Sequence, residues 1–128
     1  MKYGYSKIVS FSFEETIKKL AEALASEGFG VLTTIDVKAT LKKKLDVNYE
    51  NYTILGACNP PLAHQALQAE KEIGLLLPCN VIVYETEGAV CVSAILPAVA
   101  MGMVDNEVLK DIAAQVEEKL KTAIDNLD

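Results

Sequence analysis

Two of the chain's three cysteines and its one histidine fall within residues 54–79, ILGACNPPLAHQALQAEKEIGLLLPC, and these are the residue types most able to carry chemistry here. Cys58 stands directly before Asn59-Pro60. That pair reads as a helix start, with Asn as N-cap and Pro at the first helical position, where a missing N–H costs nothing. A helix start offers free N–H groups and the positive end of the dipole, which favour a thiolate and attract anions. A thiol in that place can be a nucleophile, a metal ligand or a redox sensor. It can equally be core, since free cysteine packs as a small hydrophobe.

His64 lies one and a half helical turns past Cys58, whereas partners on one helix face sit three or four residues apart. It falls on the side of Gln68 and Lys71, which is a solvated flank. Cys79 follows Pro78 and shares the parity of Val81 and Val83. If the strand ending at Cys58 neighbours the strand starting at Cys79, then Cys58, Cys79 and His64 make a Cys₂His set, one ligand short of a closed zinc site. The spacing matches no standard zinc motif, because C-x-x-C and H-E-x-x-H are both absent. Cys91, in mid-strand, reads as packing. Asp36 closes a β-branched run, and strand ends are where α/β scaffolds gather polar groups. Glu85 and Glu87 read as turn residues. There is no G-x-S-x-G and no glycine-rich phosphate loop.

The elements that must position these residues are legible from periodicity. Residues 2–10 read as a strand with Tyr3, Tyr5 and Lys7 on one face and Ile8 on the other. Ser12 with Glu15 is a capping box; Phe13, Ile17, Leu20, Ala21 and Leu24 follow at helical spacing, and Gly28 suits the position past the helix end. Val31–Asp36 is a second strand. A short helix follows, with Val37, Leu41 and Leu45 four apart and Lys38, Lys42, Lys43 and Lys44 toward water. Tyr52–Cys58 is a third strand. The helix that starts at Asn59 has a predicted buried stripe of Ala63, Ala66 and Leu67 and a predicted stop at Gly74.

Two further strands, Cys79–Thr86 and Ala89–Leu96, flank Glu87-Gly88, a two-residue hairpin loop. That register pairs Val83 with Val92 and Tyr84 with Cys91. It predicts a core face of Val81, Val83, Val90, Val92, Ala94 and Leu96. The other face, with Ile82, Tyr84, Cys91, Ser93 and Ile95, is too apolar for bare solvent. Asp105 or Asn106 caps a last helix with a stripe from Val108 through Leu109, Ile112, Ala113, Val116 and Leu120 to Ile124. The order is β-α-β-(α)-β-α-β-β-α. It implies an α+β domain over 1–128, with a curved antiparallel or mixed sheet of about five strands and helices on one face.

Composition narrows the partners. At 51% apolar residues the chain can build a real core. A net charge of −6 argues against nucleic acid and against an anionic membrane face. The first ten residues, MKYGYSKIVS, alternate instead of forming an apolar targeting segment, and 89–104 is too short and too interrupted to span a bilayer. The expected setting is cytoplasmic, and three cysteines there imply thiols in place of a disulfide framework.

FGVLTTIDV, YTILGACNPPLAHQAL and GLLLPCNVIVYE together resemble the bacterial and archaeal family catalogued as domain of unknown function 302. The resemblance runs from the first helix to the last, and GACNP and LPCNV are its most specific parts. It implies an α+β fold similar to the TATA-binding-protein-like β-α-β-β-β-β-α arrangement, with the helices after Asp36 and Asn59 as insertions. It carries no activity with it. Its signature falls on Asp36, Cys58, Asn59, Pro60, Leu62, Ala63, Pro78, Cys79 and Asn80, and His64 is not part of it.

The expectation is a small-ligand or metal-binding module with a polar corner built from Asp36, Cys58, Asn59, Cys79 and Asn80, zinc being the candidate metal on Cys58, Cys79 and His64. Cys58 is the candidate nucleophile in the alternative of a thiol enzyme or redox protein. A purely structural or interaction domain is the third reading. A homodimer through the outer sheet face is expected in each case.

Overall fold

Strict alternation of side chains along the strands decides which face is buried. The computed structural model describes residues 2–127. In chain order the elements are β1 (Gly4–Val9), α1 (Phe13–Ser26), β2 (Gly30–Asp36), α2 (Val37–Leu45), β3 (Tyr52–Cys58), α3 (Pro60–Ala69), β4 (Cys79–Thr86), β5 (Ala89–Ile95), α4 (Pro97–Ala100) and α5 (Glu107–Asp125). The strands form one sheet in the order β1-β5-β4-β3-β2, and every neighbouring pair is antiparallel. The fold is therefore the α+β sheet-and-helix arrangement expected from the element order, with no parallel pair among the described residues.

The β4–β5 hairpin has the expected register, Val83 opposite Val92 and Tyr84 opposite Cys91. Its loop residues Glu87 (φ 51°) and Gly88 (φ 79°) are both left-handed, the conformation a two-residue loop needs to match the strand twist. Val81, Val83 and Val92 are fully buried, with Val90 and Ala94 close behind. Leu96 lies just beyond β5 and is only half-buried. α1 begins as its capping box requires: the Glu15 N–H donates to Ser12 Oγ at 3.2 Å, and Leu20 and Leu24 are driven into the core.

Three expectations are corrected. α3 ends at Ala69, not at Gly74, because Glu70 takes an extended backbone and a 3-10 turn over Lys71–Leu76 follows. Its buried residues are Leu62 and Ala66, while Leu67 is 44% exposed; packing of α3 against α5 selects that face. On α5 itself Val108 points outward and Ala123 joins the core, as does Leu127 just beyond the helix end. Asn106 is the cap, accepting from the Leu109 N–H at 3.1 Å.

Two features were not anticipated. After β5 the chain forms α4 and a 3-10 turn over Met101–Met103, which brings Met101 inside. β2 carries a register shift between Val31 and Thr33, a bulge at Leu32. Among the described residues no helix is long and apolar enough to cross a membrane.

Candidate functional site

β3 and β4 are neighbours, and Ala57 pairs directly with Cys79. This brings the last residue of β3, Cys58, beside the first of β4. Both thiols border a cavity of about 290 Å³ between the sheet end, α3 and α5. Alternation puts Cys79 on the buried side with Val81. Cys58, one residue past Ala57, is half-buried at the cavity's edge. Burial pushes the Cys79 thiol up to about 11, and the neighbouring Cys58 adds to the shift.

Asn59 anchors the rim. Its Oδ1 accepts from the Leu62 N–H at 3.3 Å, and its Nδ2 donates to the Glu27 carbonyl at 3.4 Å. One side chain thus starts α3 and ties it to the end of α1. The fit is close: a Cβ at Gly28, which is left-handed at φ 87°, would meet Asn59 Nδ2 at 3.0 Å.

The cavity exists because small residues face one another. Ala63 and Ala66 on α3, Ala113 on α5 and Ala57 on β3 all line it. Larger side chains at those positions would close it, as interiors normally do. Phe29, Leu62, Ile112, Val116 and Met101 complete the walls. Leu32, the bulge residue, and Leu67 also line it and are 67% and 44% exposed, which marks the mouth. No lining residue is charged. Among the described residues no buried side-chain polar atom lacks a partner, so the walls offer an occupant shape and apolar contact.

The expected corner is therefore only partly assembled. Cys58, Asn59 and Cys79 meet at one cavity. Asn80 is exposed and, by alternation from Cys79, lies on the opposite sheet face. Asp36 is at the far end of β2 from Gly30, roughly 20 Å away at the rise of a strand; there it caps α2, accepting from the Ala39 N–H at 2.9 Å. His64 is exposed on α3 and does not line the cavity. Among the described residues, no group of three or more His, Cys, Asp or Glu side chains is placed to hold a metal ion. Sequence reasoning missed Leu32 and Met101. A bulge leaves no mark in the run VLTTID, and Met101 reaches the cavity only through the unanticipated turn. The Ala63, Ala66 and Ala113 positions did carry a signal, as small residues on apolar stripes.

Fold and site together define an α+β protein with an open antiparallel sheet and an apolar cavity at the ends of its central strands. The chain matches the family model "Domain of unknown function DUF302" over residues 5–127, and it belongs to that family. It is also similar to the crystal structure of an uncharacterized conserved DUF302 protein from Bacillus stearothermophilus, at 33% identity and a TM-score of 0.94, covering 100% of both chains. No curated protein matches it.

Proposed function

We propose that the protein is a binding module for a small, uncharged, hydrocarbon-rich ligand held in the α3–α5 cavity. The observation that carries this reading is the cavity of about 290 Å³ walled by apolar side chains, alanines among them where packing would favour larger residues. The cavity opens at Leu32 and Leu67, so its apolar lining faces water when empty, and a ligand that covers it removes that surface from water. Water gains little from the cavity, because it needs two to four polar partners. A ligand of about ten non-hydrogen atoms fits, taking roughly 30 Å³ each as for water in the liquid. Cys58 and Cys79 would contribute soft, weakly polar contacts at one wall.

The test is saturable binding of a small fluorescent apolar probe, indole, whose emission no tryptophan of this chain masks, to the purified chain, compared with Ala66→Phe. The reading expects one probe per chain in the natural protein and at least a tenfold loss (about 1.4 kcal/mol) in the variant, whose ring fills the cavity. Equal binding by both proteins would remove the cavity from the account.

A second reading is favoured by one observation, that Cys58 is half-exposed at the cavity rim directly before the N-cap of α3. There the thiol would act as a nucleophile toward a molecule seated in the same cavity. The two readings part on one result: a ligand that binds reversibly supports the first, and a mass increase on Cys58 supports the second.

A further inference from the structure

The face of the sheet turned away from the helices is the largest feature that ligand binding leaves without a role. Every outward position on it is uncharged. β3 presents Tyr52 and Ile54, β4 presents Ile82 and Tyr84, and β5 presents Cys91 and Ile95, with only Asn, Ser, Thr, Ala, Gly and Cys between them. The flanking strands continue the pattern, ending in Ile8, 71% exposed, and Ile35, 48% exposed. A sheet face made for water alternates apolar-in with polar-out. Here 30 of the 128 residues are charged (12 Lys and Arg, 18 Asp and Glu), and no outward strand position holds one of them; Glu50, in the loop before β3, is near enough to Tyr84 to act on it and sits at the rim.

We propose that this face is a two-fold interface with a second copy of the same chain, the two sheets packed face to face. Self-complementarity argues for a copy as the occupant. Burying this face desolvates no strand charge, and the matching uncharged face it needs is the one a second copy offers. The net −6 of each chain opposes association everywhere else and leaves this face as the least costly approach. Nucleic acid has no cation to meet there. Size agrees: strands about 4.8 Å apart and roughly 20 Å long make a face about 24 Å wide. With side-chain relief this is of the order of the ~800 Å² per partner of a stable interface. Ile54 and Ile82 pair at its centre, and toward the hairpin end of the same two strands Tyr52 and Tyr84 stack with ring centroids 5.6 Å apart. Such rigid aromatic anchors dominate interface energetics. The proposal is independent of the cavity, which lies on the other side of the sheet.

Sedimentation equilibrium on the full chain tests it. The expected species has twice the 13.9 kDa chain mass at micromolar concentration. Ile82→Glu should weaken association by at least about a hundredfold, with unchanged circular dichroism. Val108→Glu, at a 60%-exposed apolar residue of α5 on the helix side, should leave the dimer intact. A monomeric natural protein, or a dimer indifferent to Ile82→Glu, would overturn the proposal. Should Ile82→Glu not fold, Cys91 in the natural chain gives the answer. Its rate of maleimide labelling should rise as the protein is diluted, and a rate independent of concentration overturns the interface.

Discussion

Asn59 does more at the residue scale than either thiol beside it. It is buried, and both ends of its amide are used, one to start α3 and one to hold the Glu27 carbonyl. Asn59→Ala should therefore cost about 1–2 kcal/mol, the upper part of the range for a lost N-cap; an unchanged urea midpoint would contradict it. Cys79 sets a pH dependence. Its thiol rises from 9.0 to about 11 in the fold, so its contribution to stability is fully present below pH 9. Between pH 9 and 11 the unfolded chain releases a proton that the fold retains, and stability falls as pH rises, by up to ~2–3 kcal/mol. The measurement is a difference, which removes every other alkaline contribution: Cys79→Ala should flatten the alkaline loss of stability relative to the natural chain. Exposure orders the reactivity of the pair. Iodoacetamide with peptide mapping should label Cys58 well ahead of buried Cys79, and equal rates would mean that the corner opens as a unit.

At the scale of elements, what alternation controls was legible and what docking controls was not. The hairpin register followed from Val81, Val83, Val90 and Val92 at every second position around Glu87-Gly88, because a one-residue slip would turn all four valines to the wrong face. Val83→Asp should accordingly abolish folding by circular dichroism, since it places an unpaired carboxylate at a position of 0% exposure. Tyr84→Asp, one residue on, should keep the fold. The stripe of α3 was misread by one position, because its short run of alanines lets the helix turn either way until α5 selects Leu62 and Ala66. The bulge at Leu32 was illegible, since it depends on how β2 meets β3. Gly56 explains part of that meeting: a Cβ there would lie 2.2 Å from Thr33 Oγ1 and 2.7 Å from Pro78 Cγ. Gly56→Ala should destabilise by about 1–3 kcal/mol, and adding Thr33→Ala should recover part of the loss, a coupling that a double-mutant cycle reads directly.

The whole molecule sorts its surfaces by the two sides of one sheet. On the helix side α1, α3 and α5 cover the valine face and leave a gap where alanines oppose each other. On the other side lies the uncharged face of β1 to β5. The order of elements foretold this division, and the alanines were visible on their stripes, but that Ala63 and Ala66 of α3 meet Ala113 of α5 across one cavity is a matter of docking that no local pattern encodes. Ligand occupancy of that gap is the central claim, and the chain contains its own reporter. Met101 lines the cavity, whereas Met103, two residues on, is 79% exposed. The most direct measurement is a titration of the ¹³C-methyl-methionine-labelled protein with a small apolar molecule such as indole, followed by NMR. The account predicts a saturable shift of the Met101 methyl with Met103 unmoved, and loss of that shift in Ala66→Phe. A Met101 signal that stays in place, or moves in step with Met103 without saturating, would contradict it.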